Sequence, residues 1–412
     1  MVVAMDITFL GTSSAQPSTT RNHQSMALRV DGDIWLFDCG EATQHQFQKS
    51  HLKMGRITKI FITHMHGDHC FGLGPLMCSM TDTLNPDKKI LDDTTQPLDQ
   101  QQPPIEIYGP ARLRQWLRTT LSSTYSNLRG YYRVHEFLRP DEKDQADGYV
   151  MDEQTNDGDD AADSAPHHPP HHHPQELRGT NHYLSPVTTL DLGKGYTVVA
   201  APIEHSIPSL GFLVQEPDVL GNLDRELVVP HLLRNADALK TQQGIKQPLS
   251  LLGRLQRQGE RIQLPDGTWL DPPTKKPGRQ VVILGDTCDP SSLIPYCHQP
   301  HLLVHEATNA LTSLDIDKKS DGTLTMTHEM VETRARQHGH STPQMAGDFA
   351  KRIGARTLIL THFSARYKGD LSEDGIKVME EIRQLALDRF GKENDSELYC
   401  ARDLWSFDIK HR

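Results

Sequence analysis

Ile60-Phe61-Ile62-Thr63-His64-Met65-His66-Gly67-Asp68-His69 sets a short apolar run directly against four potential metal ligands within six residues. The run reads as a buried strand. Side chains alternate along extended backbone, so His64 and His66 share one side as the chain leaves that strand. Gly67 then permits a sharp turn that swings Asp68 and His69 toward a second ion nearby. Imidazole and carboxylate suit zinc, and a set without cysteine points to a catalytic site instead of a structural one. A plain surface loop is the bland reading, and H-x-H-x-D-H is too specific a spacing to favour it.

Four side chains are too few to hold two ions, so further ligands must come from elsewhere. Val198-Val199-Ala200 leads through Pro202 to His205, Val281-Val282-Ile283-Leu284-Gly285 leads to Asp286, and Leu358-Ile359-Leu360-Thr361 leads to His362. Active sites of α/β sheets gather at the carboxyl ends of strands. With 23 histidines in the chain, one that follows a strand proves little alone. Three strand ends that can share a rim with the 64–69 motif carry more weight. Asp286, between Gly285 and Thr287, has a turn cap as its alternative.

Working outward, strands are expected at 6–10, 34–37, 57–62, 105–108, 196–200, 281–284, 302–304, 358–360 and 404–409. Helical patterns at 111–122, 342–353 and 374–388 lie between them. Thr342-Pro343 makes an N-cap and first-turn pair. Strands interleaved with helices indicate an α/β layered domain.

The apolar share is 36% before the 29 glycines are counted. With them it stays slightly below the roughly 45–50% of globular chains, which suggests polar insertions around an ordinary core. Two insertions are expected. One is polar, at 81–104. The other, at 140–180, is acidic and then carries His167-His168-Pro169-Pro170-His171-His172-His173-Pro174, a composition that favours disorder. Residues 141–163 hold ten carboxylates and one lysine, so they supply −9 of the net charge of −11. The acidity is local and is weak evidence against a nucleic-acid substrate. No apolar run approaches the ~18–20 residues that span a bilayer. The first strand starts near Asp6, leaving no room for a signal or transit peptide. Six cysteines without framework spacing read as reduced thiols, hence a cytoplasmic or nuclear protein with no membrane partner.

The chain resembles the metallo-β-lactamase superfamily and, within it, the short-form ribonuclease Z family of tRNA 3′-end processing endonucleases. The resemblance runs through Phe9-Leu10-Gly11-Thr12, Leu36-Phe37-Asp38-Cys39-Gly40-Glu41, the 64–69 motif and Ile105-Glu106-Ile107-Tyr108-Gly109-Pro110. It continues through Ile207-Pro208-Ser209-Leu210-Gly211-Phe212, Gly285-Asp286-Thr287, His305-Glu306-Ala307-Thr308, His340-Ser341-Thr342 and Thr361-His362-Phe363-Ser364-Ala365-Arg366-Tyr367. The 64–69 motif marks only the superfamily. The His-Glu-Ala-Thr and His-Ser-Thr pieces point to ribonuclease Z.

The resemblance implies an αββα sandwich, one domain over residues 1–412, with a protruding flexible exosite arm at 216–273. It implies two zinc ions per subunit, one held by His64, His66 and His205, the other by Asp68, His69 and His362, with Asp286 bridging. Asp68 would act as general base, and His340, oriented by Glu306, would serve the departing ribose oxygen. That pairing is physically sound, because a carboxylate-held imidazole is a good proton donor near pH 7. His340 also precedes the helix capped at Thr342, whose N-terminus favours phosphate. His305 is expected to be structural, and Asp38 and Glu41 to support the site or form a strand-end turn.

The implied substrate is precursor tRNA, cut to leave a 3′-hydroxyl and a 5′-phosphate, and the implied assembly is a homodimer. In the arm, Arg234, Lys240, Lys246, Arg254, Arg257 and Arg261 stand against two acids over 234–261, an excess suited to phosphate contacts. Gly244-Ile245-Lys246-Gln247-Pro248-Leu249 lacks the Pro-Gly-Pro element of short-form arms, and Ala42 stands where a glycine is common. Two other readings are a superfamily hydrolase acting on a small phosphodiester or thioester, and a non-catalytic RNA-binding subunit.

Overall fold

A computed structural model describes residues 4–83, 105–128, 130–145, 173–315, 326–391 and 397–411. The amino-terminal half builds one sheet from β1 (Met5–Gly11), β2 (Ser25–Val30), β3 (Asp33–Phe37), β4 (Ile57–Phe61), β5 (Ile105–Pro110) and β6 (Tyr132–Leu138). Strands β1 to β3 pair antiparallel, and β3 to β6 run parallel. The second sheet holds β7 (Thr188–Asp191), β8 (Thr197–Ile203), β9 (Ser209–Gln215), β10 (Gln280–Leu284), β11 (Leu302–Glu306), β12 (Thr357–Thr361) and β13 (Glu397–Cys400). It is antiparallel from β7 to β10 and parallel from β10 to β13. The closing strand β14 (Trp405–Asp408) returns to pair with β1 in the first sheet.

Period-two alternation decides the layering. In β8, Val198 and Ala200 join a core shared by both sheets, together with Phe9, Phe37, Phe61 and Phe212. Val199, Ala201 and Ile203 point the other way and pack with Phe349 and Ile382 of helices Pro343–Arg352 and Glu373–Phe390. On the far side of the first sheet, Leu36, Ile60 and Ile62 pack with Leu113 and Leu117 of helix Leu113–Ser123. The result is the αββα sandwich. No helix among the described residues is long and apolar enough to cross a membrane.

Both expected insertions fall largely outside the described residues, at 84–104 and 146–172. The ends of the 140–180 segment depart from the expected disorder. Pro140–Gln145 forms a 3-10 turn, and Glu176–Leu177 pairs with β6. Arg118 forks onto Glu176 at 2.7 and 2.8 Å, and buried His173 sits 2.9 Å from the Ser126 carbonyl. These contacts anchor backbone that composition alone marks as solvated.

The 216–273 segment is a folded unit. Helices Arg225–Arg234 and Ala236–Gln243 and the pair Ile262–Gln263/Trp269–Leu270 enclose a small core that includes Val228, Leu232, Leu239, Leu255 and Leu264. At its root, buried Glu216 accepts from Arg279 Nε at 2.7 Å and from the Arg279 amide at 3.0 Å.

Candidate metal centre

The parallel strands aim their carboxyl ends at one rim, and β8 points the same way because β8 and β10 are both antiparallel to β9. The loop after β4 reaches this rim with His66 still extended (φ −66, ψ 147) before the short helical turn Gly67–Cys70. Gly67 begins the sharp turn expected there, without a positive φ. Its constraint is steric, since a Cβ there would stand 2.2 Å from the Phe71 ring. Ala15 (φ 57), Asp38 (φ 58) and His362 (φ 55) are left-handed non-glycine residues, under strain of the kind that clusters at functional sites.

All seven expected ligands come together. One group is His64, His66, His205 and Asp286, and another is Asp68, His69 and His362, with ligand atoms within 4.8 Å of one another in each. His64 Nε2 and His205 Nε2 lie 3.1 and 3.2 Å from His66 Nδ1. His69 Nε2 is 3.1 Å from His362 Nε2 and 3.6 Å from Asp68 Oδ2. Asp286 stands between the groups, its Oδ2 3.7 Å from His64 Nε2 and its Oδ1 3.3 Å from His69 Nε2. Two nitrogens on a tetrahedral zinc, each ~2.05 Å away, are about 3.3 Å apart. The observed separations fit such an ion.

The outward-facing nitrogens explain why the inner ones are free to ligate. His69 Nδ1–H donates to Asp38 Oδ2 at 2.7 Å. Thr63 Oγ1 donates to Asp38 and therefore accepts from His64 Nδ1–H at 3.0 Å. His205 Nδ1–H donates to the Gly339 carbonyl at 2.7 Å. Gly339 must be glycine: its φ is +75, and a Cβ would meet Ser206 N at 2.6 Å. Thr308 Oγ1 donates to Glu306 and so accepts from His362 Nδ1–H at 3.0 Å. Each of these rings keeps its Nε2 lone pair for the cluster, the orientation that ligand histidines take from their outer partners.

Burial lowers the basicity of His64, His66 and His205, which favours the neutral, ligating form. Burial also opposes charge on His69, but Asp286, Asp38 and Asp68 outweigh it and raise its pKa. Asp68, held at 2.7 Å by the Ala15 amide, stays ionised despite burial because His69 and His362 face it.

Beside the cluster, His340 Nδ1 lies 3.2 Å from Glu306 Oε2 and 3.7 Å from Asp286 Oδ2. Burial would lower its pKa, yet Glu306 pushes it up to about 9. Glu306 is itself buried and also accepts from the Thr287 amide at 2.6 Å. His305 turns away to its own backbone neighbour and Phe349, as a structural residue does. Glu41 is largely exposed and stands outside both groups.

Two cavities flank the centre. One of about 720 Å³ is lined by His205 and Gly339, the other, of about 540 Å³, by His340, Thr308 and Arg366. None of the six arm cations lines either. Arg234 pairs with Asp266 at 3.1 Å and Arg254 with Glu260 at 2.6 Å, while Arg261 pairs with Asp271 and stacks 4.7 Å from the Trp269 ring centre. Lys240, Lys246 and Arg257 are exposed and have no ion pair among the described residues. The excess counted over 234–261 thus halves, because Asp266 and Asp271 lie beyond that window and fold back.

Comparison with known proteins agrees with this geometry. The family model of the anti-Pycsar protein Apyc1 matches residues 5–95, the part that holds β1 to β4 and the 64–69 loop. The human zinc phosphodiesterase ELAC protein 1 is 36% identical over 397 residues, covering 94% of this chain and 95% of its own. Ribonuclease Z of Oenococcus oeni is 30% identical, covering 98% and 96%. The chain belongs to the ribonuclease Z family. The crystal structure of human tRNase Z, short form, superposes with a TM-score of 0.56 at 28% identity, covering 99% of this chain and all of that one.

Glu306 and His340, picked out in the sequence by the family resemblance, come together beside the seven expected ligands. Three further groups of the site were not singled out from sequence: Thr63, Thr308 and the Ala15 amide. Thr63, between the strand and His64, and Thr308, at the end of the His305–Thr308 piece, each had a local signal.

Proposed function

We propose that the chain is a zinc-dependent endoribonuclease that removes the 3′ trailer from precursor tRNA, leaving a 3′-hydroxyl on the tRNA and a 5′-phosphate on the trailer. The observation that carries this reading is the inward-facing lone pairs of the histidine cluster with the Glu306–His340 pair beside them. On this reading His64, His66 and His205 hold one zinc ion, and Asp68, His69 and His362 hold a second. Asp286 is shared, giving two ions per subunit. Bound zinc supplies Lewis acidity toward a phosphoryl oxygen and lowers the pKa of water toward neutrality.

The chain's own residues do the rest. Asp68, fixed by the Ala15 amide, accepts a proton from the attacking water. His340 presents a proton to the departing 3′-oxygen, and Glu306 keeps that imidazole charged until the transfer. Lys240, Lys246 and Arg257, exposed and with no ion pair among the described residues, are the arm cations best placed to meet tRNA phosphates. The assembly is a homodimer and the compartment cytoplasmic or nuclear, in keeping with six free cysteines.

The test is to incubate the zinc-loaded protein with a tRNA carrying a 3′ trailer and to map the cut and its end groups. A 3′-hydroxyl at the mature end is expected. A cyclic or 3′-phosphate end, or cleavage of small phosphodiesters without any tRNA cut, overturns the reading.

A further inference from the structure

We infer that Arg21 is a positioning residue for one half of the metal centre, pinning the two loops that bring His362 and the Ala15 amide to the Asp68–His69–His362 site. This rests on the two-ion reading above and adds what holds one of the two sites in shape.

Arg21 belongs to neither ligand group, yet it is only 2% exposed, and its polar contacts among the described residues are all to uncharged groups. Burial lowers its pKa to about 10, against the pull of Asp403. A buried charge is costly unless its donors are satisfied. Arg21 satisfies them by forking across three segments of the chain. Its Nε donates to the Tyr367 carbonyl at 2.8 Å, and its Nη1 to the Ala401 carbonyl at 3.1 Å and to Thr12 Oγ1 at 2.6 Å. The Thr12 hydroxyl donates in turn to Asp403 Oδ1 at 2.7 Å, so the balancing charge stands one hydroxyl away. Asp403 also accepts from the Asn22 amide at 2.6 Å, which ties the start of the loop to its end.

The loops joined in this way both run to the metal site. The Phe363 amide donates to the Thr12 carbonyl at 2.8 Å, and Ser13–Ser14 pairs with Phe363–Ser364. The guanidinium carbon lies 4.6 Å from the Phe363 ring centre. His362 immediately precedes Phe363, and Ala15, whose amide holds Asp68 at 2.7 Å, immediately follows Ser14. Ala15 and His362 are both left-handed, a conformation that persists only where the surroundings enforce it. The other half of the centre draws its support elsewhere. His64 is held through Thr63, and His205 through the Gly339 carbonyl.

Two backgrounds separate the halves: His205→Ala leaves the Asp68–His69–His362 site intact, and Asp68→Ala leaves the other. Zinc affinity in each is read by competition with a chromogenic chelator. Arg21→Met keeps an apolar stem and removes the buried charge. It should weaken zinc about tenfold in the first background, the low end for outer partners of metal ligands, and leave the second within about twofold. Arg21→Lys keeps the charge but lacks the planar fork, so it should not restore the affinity. Equal weakening in both backgrounds makes Arg21 a residue of the fold alone and overturns the inference. Unchanged affinity in the first background does so too, as does full affinity in Arg21→Lys. A parent background that takes up no zinc counts instead against the two-ion reading, and it shows this before any Arg21 variant is made.

Discussion

Ala42 adopts a left-handed backbone (φ 62) at the N-cap of helix Thr43–Lys49 and makes no side-chain cap. A Cβ in that conformation costs about 1–2 kcal/mol, against roughly 0.5–1 kcal/mol of extra unfolded-state entropy for glycine. Ala42→Gly should therefore stabilise the chain by about 0.5–1 kcal/mol, and a denaturation midpoint equal to or below wild type would contradict this. Thr308 sits between Glu306 and His362 Nδ1. Thr308→Val keeps the shape but removes the hydroxyl that accepts from His362 Nδ1–H and donates to Glu306, so activity or zinc retention should drop about 10–100-fold, as for other outer partners of metal ligands. Thr308→Ser should restore both. Metal content after a chelator challenge distinguishes the two variants, and equal retention would remove Thr308 from this role. His205, Asp286 and His362 were legible in the sequence because each ends an apolar run at a sheet rim. The Ala15 amide was not, since Asp68 lies 53 residues away, and neither was the contact from Thr308 to His362, which spans 54.

Several strands that could be read in advance are buried on both faces, such as β10 and β12, where every residue but Gln280 is buried, although half-exposed β14 was read as well. Those missed carry interruptions: Gly211 lies inside β9, and Arg133, His135 and Glu136 break up β6. The arm hid its fold because its core is small and its root depends on a pair 63 residues apart. Burial alone would raise the Glu216 pKa, but Arg279 outweighs it and holds it below the usual carboxylate range. A depressed folded pKa means stability that is present above the unfolded value, about 4.3, and lost as pH falls through the folded one. Glu216→Gln leaves the Arg279 charge buried without its partner. It should cost about 3–5 kcal/mol at pH 7 and flatten that acid dependence, as read by urea unfolding at several pH values. A variant as stable as wild type at pH 7 would mean that the pair does not hold the root. Higher on the arm, replacing Lys240, Lys246 and Arg257 together with Gln should lower the salt dependence of tRNA binding by about two in log–log slope, at ~0.7–0.9 per phosphate. Replacing Arg234, Arg254 and Arg261, which are already paired, should change it less. The reverse order would assign RNA contact to the paired set.

At the scale of the whole molecule, the centre joins the two sheets. His64, His66, Asp68 and His69 leave the first sheet after β4, whereas His205, Asp286 and His362 leave the second after β8, β10 and β12. Away from this rim the sheets meet through apolar packing around Phe37, Phe61 and Phe212. At the rim, imidazoles face one another at 3.1 to 3.2 Å, an arrangement that a cation between them would stabilise. Zinc that binds the native state alone stabilises it by RT ln(1 + [Zn]/Kd), about 4 kcal/mol at a thousandfold excess over Kd. Chelation should lower the thermal midpoint by several degrees and leave the two sheets held only by their shared core. The loss should be local: hydrogen exchange should rise at residues 64–70, 205–209, 285–288 and 339–342, where the loops lose their common ion, while β9 and β11 stay protected. Zinc alone should restore both the midpoint and the exchange pattern. If the chelated protein melts with the zinc-loaded one, or if exchange rises evenly through both sheets, the rim is not joined by metal, and the lone pairs gathered there need another explanation.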